Sequence, residues 1–126
     1  MAIRFSRDDT QRRLTITLSG AVTFDAVAAF IKGDTPVPLS AREYDVLIDL
    51  RAADIARATN TDAHALAVLA AEQDPRRRSG RIAIVAEHEA ALGVARMYAT
   101  YRAEHGLTVR VFRDLRSAVE WFTPHA

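Results

Sequence analysis

Arg13-Leu14-Thr15-Ile16-Thr17-Leu18-Ser19-Gly20 alternates without a break: Leu14, Ile16 and Leu18 take one side, Thr15 and Thr17 the other. That period of two is the pattern of a strand with one face on a core and one face polar. Upstream, Ile3 to Arg7 alternates as well, with Ile3 and Phe5 apolar, and the polar run Asp8-Asp9-Thr10-Gln11-Arg12 lies between. Two short alternating runs across such a turn predict an antiparallel hairpin, which Gly20 ends.

Downstream the period changes. Thr23 is placed as a helix N-cap, followed by Phe24, Val27, Ala28 and Ile31 at helical spacing and by Gly33 as a stop. Asp34 to Arg42 holds Pro36, Pro38 and Ser40 and predicts a surface loop. Tyr44 to Leu50 predicts a third strand, Arg51 to Asn60 a connection, and Thr61 to Gln73 a helix that Asp74-Pro75 breaks. Arg81 to Ala86 predicts a fourth strand, Glu89 to His105 a long helix, and Leu107 to Phe112 a fifth strand. Asp114 then caps a last helix with Leu115, Ala118, Val119 and Phe122.

The order strand, strand, helix, then strand-helix three times predicts an α/β fold of about five strands. They are mostly parallel, with an antiparallel first strand and right-handed crossovers. Strands covered on both faces read as unbroken apolar runs, but these alternate. Ile16, Ile48, Ile84 and Val109 share the apolar phase, whereas Thr17, Asp45, Asp49 and Arg110 share the other with Leu47, Val85 and Phe112. Helices are therefore expected mainly on one face. The mixed second face is a candidate contact surface through Leu47, Val85 and Phe112, as is the long helix through Tyr98 and Tyr101. Either surface would serve a homodimer.

The 126 residues fit a single domain over 1–126, and the 49% hydrophobic and 26% charged content is that of a globular chain. Without cysteine there are no disulfides, thiolate metal sites or cysteine nucleophiles. A net charge of +1 offers no bulk attraction to nucleic acid or membrane, and no apolar run is long enough to span a bilayer. The Met1-Ala2-Ile3-Arg4-Phe5 start lacks the apolar run of a secretory signal, so a cytoplasmic protein is expected. Lys32 is the sole lysine among 17 basic residues. Codon bias in a GC-rich bacterial genome explains this, and anion recognition by guanidinium forks is the functional alternative.

Strand ends in α/β sheets gather ligands, so Arg51, Asp54, Arg57, Thr59, Asn60 and Thr61 form a candidate partner- or anion-binding loop. The simpler reading is that Asn60 or Thr61 caps the helix and Asp62 complements its dipole. Glu87-His88-Glu89 opens the long helix, but neighbours in sequence diverge there, and no metal or catalytic site is expected. No serine sits in a nucleophile elbow, and the five glycines are scattered, so no hydrolase, nucleotide site or cofactor is expected. Arg76-Arg77-Arg78 with Arg81 is the one dense basic cluster. It lacks the interleaved aromatics of single-strand binders and reads as a solvated turn.

Leu14-Thr15-Ile16-Thr17-Leu18-Ser19-Gly20, Leu47-Ile48-Asp49-Leu50-Arg51, Ala95-Arg96-Met97-Tyr98 and Val111-Phe112-Arg113-Asp114-Leu115 run in order across the chain. Together they resemble the STAS domain of anti-sigma-factor antagonists, and more closely the bacterial SpoIIAA-like family, described as STAS- or Sec14-like. The resemblance implies a right-handed strand-helix superhelix with no enzymatic activity, acting in regulation by docking to a protein partner such as a regulator or kinase. Some STAS domains are switched by phosphorylation of a serine in an Asp-Ser-Ser-Gly-like turn. The equivalent stretch, Arg57-Ala58-Thr59-Asn60, keeps only the Thr59 hydroxyl. Sec14-like relatives bind lipids in a hydrophobic cavity, which makes a small-molecule or lipid-binding module the alternative.

Overall fold

The computed structural model describes residues 2–34, 44–73, 81–104 and 108–123. The Pro36–Ser40 loop and the Arg76-Arg77-Arg78 turn lie outside them. Five strands form one sheet in the order β1-β2-β3-β4-β5. β1 (Ala2–Asp8) pairs antiparallel with β2 (Arg13–Ala21), from Ala2↔Ser19 to Asp8↔Arg13. β3 (Asp45–Asp54), β4 (Ile82–Val85) and β5 (Val109–Phe112) continue the sheet in parallel. The expected α/β class and the single antiparallel first strand are present.

The hairpin turn is held by Asp8, whose Oδ1 accepts from the Gln11 N–H at 3.0 Å, and by Arg12 at a positive φ of 52°. Tyr44 secures this turn to the start of β3. Its hydroxyl donates to Asp9 Oδ1 at 2.8 Å, and its ring lies under the guanidinium groups of Arg7 and Arg12.

β3 runs four residues past Leu50, so Arg51 and Asp54 belong to the strand and not to the following loop. The sequence hides this because the register shifts: Thr17 pairs with Asp49, but Ser19 pairs with Ala52. β3 thus carries one extra residue, a bulge that moves the buried phase from Val46, Ile48 and Leu50 to Ala53 and Ile55. The alternation read from the sequence stops where the bulge begins.

Side chains cap the helices. Thr23 Oγ1 accepts from the Ala26 N–H at 3.3 Å at the head of α1 (Phe24–Ala29), which continues as a π-helical segment, Phe30–Asp34. Thr59 and Asp62 form a reciprocal capping box on α2 (Asn60–Gln73): Thr59 Oγ1 accepts from the Asp62 N–H, and Asp62 Oδ2 from the Thr59 N–H, each at 3.1 Å. Asp114 accepts from the Ser117 N–H at 2.8 Å ahead of α4 (Leu115–Phe122). The cap of α2 is therefore Thr59, and not Asn60 or Thr61 as expected.

Three helical units, α1 with its π-helical segment, α2 and α3 (Glu89–Ala103), lie over the face carrying Leu14, Leu18, Val46, Leu50, Ile82 and Ile84. α4 alone lies on the other face, where Ala118 and Phe122 pack on Leu47, Ala83 and Val85. This corrects the expectation of an open contact surface: Leu47 is 5% and Val85 0% exposed, because α4 covers them. Phe112 packs against Trp121, with ring centroids 5.6 Å apart. Two arginines of that face stack on its aromatic rings, Arg110 over Phe112 and Trp121, and Arg13 over Phe122.

Candidate functional site

Ile16, Ile48 and Ile84 are successive partners across β2, β3 and β4 on the face under α1, α2 and α3. Ile84 is 2% exposed, yet Ile16 and Ile48 are only half-buried. Central residues of a covered sheet should be sealed. These are not, because the helices stand away from the strands and leave a cavity of about 660 Å³.

The helix chemistry explains the gap. The buried face of α2 is Ala63, Ala67 and Ala70, which supply little side-chain volume to fill the space above the strands. α2 packs chiefly against α3 and the α1 segment, and not down onto the sheet. The floor of the cavity is Leu14, Ile16 and Leu18 of β2, Val46, Ile48 and Leu50 of β3, and Ile82 and Ile84 of β4. Val27, Phe30 and Ile31 close one side. On α2, Asp62, Ala63, Leu66 and Ala70 face it; on α3, Val94, Ala95, Tyr98 and Arg102 do. Eight residues of helix rise about 12 Å, so the cavity runs lengthwise along the strands.

Its two ends differ. β2, β3 and β4 are parallel, and the helices between them run back antiparallel. Thr23, Phe24, Arg57 and Asp62 therefore stand at the carboxyl end of the strands, where Thr23, Phe24 and Arg57 are exposed and form a rim. Leu14, Val46 and Ile82 start their strands at the other end, where the last turn of α3 brings Arg102. Arg102 is 2% exposed, and its Nε and Nη1 have no hydrogen-bond partner. It is the one charged side chain in the buried set of the described residues. Tyr98, one turn earlier, lines the same wall.

The residues singled out from the sequence are distributed otherwise. Asp49 engages Arg51: Asp49 Oδ1 accepts from its backbone N–H and from Nε at 3.0 Å each, and Oδ2 from Nη2 at 2.9 Å. The bulge turns that N–H toward the carboxylate. The Arg51 side chain holds the Asp49 carboxyl below its ordinary range, against the opposing effect of burial. Asp54 Oδ1 accepts from the Ala56 N–H at 3.0 Å, and Thr61 is exposed on the first turn of α2. Asn60 opens α2. In this loop the hydroxyl and carboxylates take up backbone donors of the loop itself, and of the six candidate residues Arg57 is the one that lines the cavity, at its rim, with Ile55, Ala58 and Asp62 beside it. Tyr98 faces the cavity, and Tyr101 packs on the exposed His64 of α2 with ring centroids 4.4 Å apart.

His88 precedes α3 without a side-chain capping bond, and Glu89 pairs with Arg113 at 3.4 Å. Among the described residues no three His, Asp or Glu side chains gather as a metal site, and no helix is long and apolar enough to cross a membrane. A smaller recess of about 240 Å³ lies where β3 ends beside the start of α3, lined mostly by alanines with Asp54 and His88.

Sequence reasoning missed the cavity and the place of Arg102 in it. The available signal was α2 itself, whose fully buried positions are alanine where a core helix would carry leucine or isoleucine, with Leu66 the one large aliphatic that it turns to the cavity. No protein-family model matches the chain, and no curated protein matches it either.

Proposed function

We propose that the protein is a non-catalytic binding module that holds a mostly apolar small molecule between its sheet and its helices. The observation that carries this reading is the half-buried state of Ile16 and Ile48 at the centre of a covered sheet, above which about 660 Å³ is left unfilled by side chains. Small-molecule sites span about 300–1,000 Å³ and combine apolar walls with a few placed polar groups, which fits Arg102, Tyr98, Thr23 and Arg57 around this cavity. A STAS-like, SpoIIAA-like ancestry is part of the proposal, supported by the element order and the quoted stretches. It makes the module a regulatory one, whose protein partner would sense whether the cavity is filled. Docking through an open sheet face has less support, because α4 occupies the face that carried it.

The test is saturable binding of a neutral apolar dye, Nile red, with a stoichiometry of one. Ala63→Leu and Ile48→Phe, which fill the cavity from opposite walls, should each abolish it while leaving the far-ultraviolet circular dichroism unchanged. Absence of saturable dye binding by the unaltered protein, or unchanged binding by both variants, overturns the reading.

A further inference from the structure

Arg102 is a charge in the wrong place for a purely apolar cavity. An ion buried without a partner is strongly unfavourable. Two of its nitrogens lack any hydrogen-bond partner, and no carboxylate among the described residues pairs with it. It lies at the end where Leu14 is 1% and Ile82 5% exposed, so that end is closed, while the exposed rim at Thr23, Phe24 and Arg57 is at the other. Between them the walls are aliphatic over about 12 Å of helix.

We infer that the cavity takes an elongated apolar molecule ending in a single carboxylate, which enters acid first and is held at the closed end by the Arg102 guanidinium. The inference rests on the cavity-binding reading and adds the charge, shape and direction of the ligand. The planar fork of arginine matches a carboxylate in a two-point, charge-assisted contact. One guanidinium balances one negative charge. Among the described residues no second basic side chain lines that apolar end, where a dianionic phosphate would leave a surplus charge, and Arg57 stands at the rim. Tyr98, one helical turn from Arg102, lines the wall beside the head group.

Calorimetric titration with decanoate, decanol and decylammonium, each below its aggregation concentration, tests this. The unaltered protein is expected to bind decanoate about 10- to 100-fold more tightly than decanol, the range of a charge-assisted hydrogen bond, and to reject decylammonium. In Arg102→Leu that preference should vanish, through loss of decanoate affinity with decanol held. Should Arg102→Leu fail to fold, the three probes on the unaltered protein still decide. Equal affinity for decanoate and decanol overturns the role of Arg102 while the cavity reading stands. Binding of none of the three overturns both.

Discussion

Arg81 and Asp45 face each other across β3 and β4, with Arg81 Nη2 2.9 Å from Asp45 Oδ2 and the Arg81 backbone N–H 2.9 Å from Oδ1. The same guanidinium donates to the carbonyls of Trp121 and Phe122, each at 2.9 Å, and stacks on both rings. One side chain thereby joins two strands and satisfies the carboxyl end of α4, the helix that closes the second face.

Arg81→Ala should therefore destabilise the fold by about 1–3 kcal/mol, since it removes the charged partner of Asp45 and the donor to two helix carbonyls together, leaving Asp45 only the backbone N–H. Arg81→Lys should recover little, because an ammonium cannot span the same four acceptor positions. Urea unfolding of both variants checks this, and near-native stability of the lysine variant would contradict it.

Ile84→Ala should cost about 2–5 kcal/mol, as for a sealed core aliphatic. Ile16→Ala, on the same row of the sheet but already facing the cavity, should cost clearly less. Equal losses in urea unfolding would mean that Ile16 is packed as tightly as Ile84.

Thr59→Ala and Asp62→Ala should each cost about 0.5–2 kcal/mol through the start of α2. The double variant should lose less than the sum, because each side chain is bonded to the other's backbone N–H. Strict additivity would show that the box does not act as a unit.

The depressed Asp49 carboxyl sets a pH dependence. A carboxylate whose folded pKa lies below its unfolded value of about 3.9 adds stability above that value, and the gain is lost as pH falls through the folded pKa. The stability advantage of the unaltered protein over Asp49→Asn should be constant near neutral pH and shrink below about pH 4. A constant difference down to pH 2 would refute the pairing with Arg51.

Alternation and capping chemistry are local, so the hairpin, the parallel strands after it and the Thr23 and Asp114 caps were legible before any coordinates. Each depends on residues within a few positions of one another. The bulge at the end of β3 was not legible, because it is a mismatch between two strands more than thirty residues apart and leaves only a broken alternation in either one. The same holds for the second face. Leu47, Val85 and Phe112 were correctly placed together, but whether they met solvent or α4 depended on which side of the sheet the last helix crossed. The cavity is the furthest from the sequence. Its volume is the difference between the separation of the helices from the strands and the side chains available to fill it, and alanine at 63, 67 and 70 shows only the second quantity. Arg102 likewise reads as an amphipathic edge along its own helix, and becomes a buried, unpaired cation only when α3 is laid across the starts of three strands.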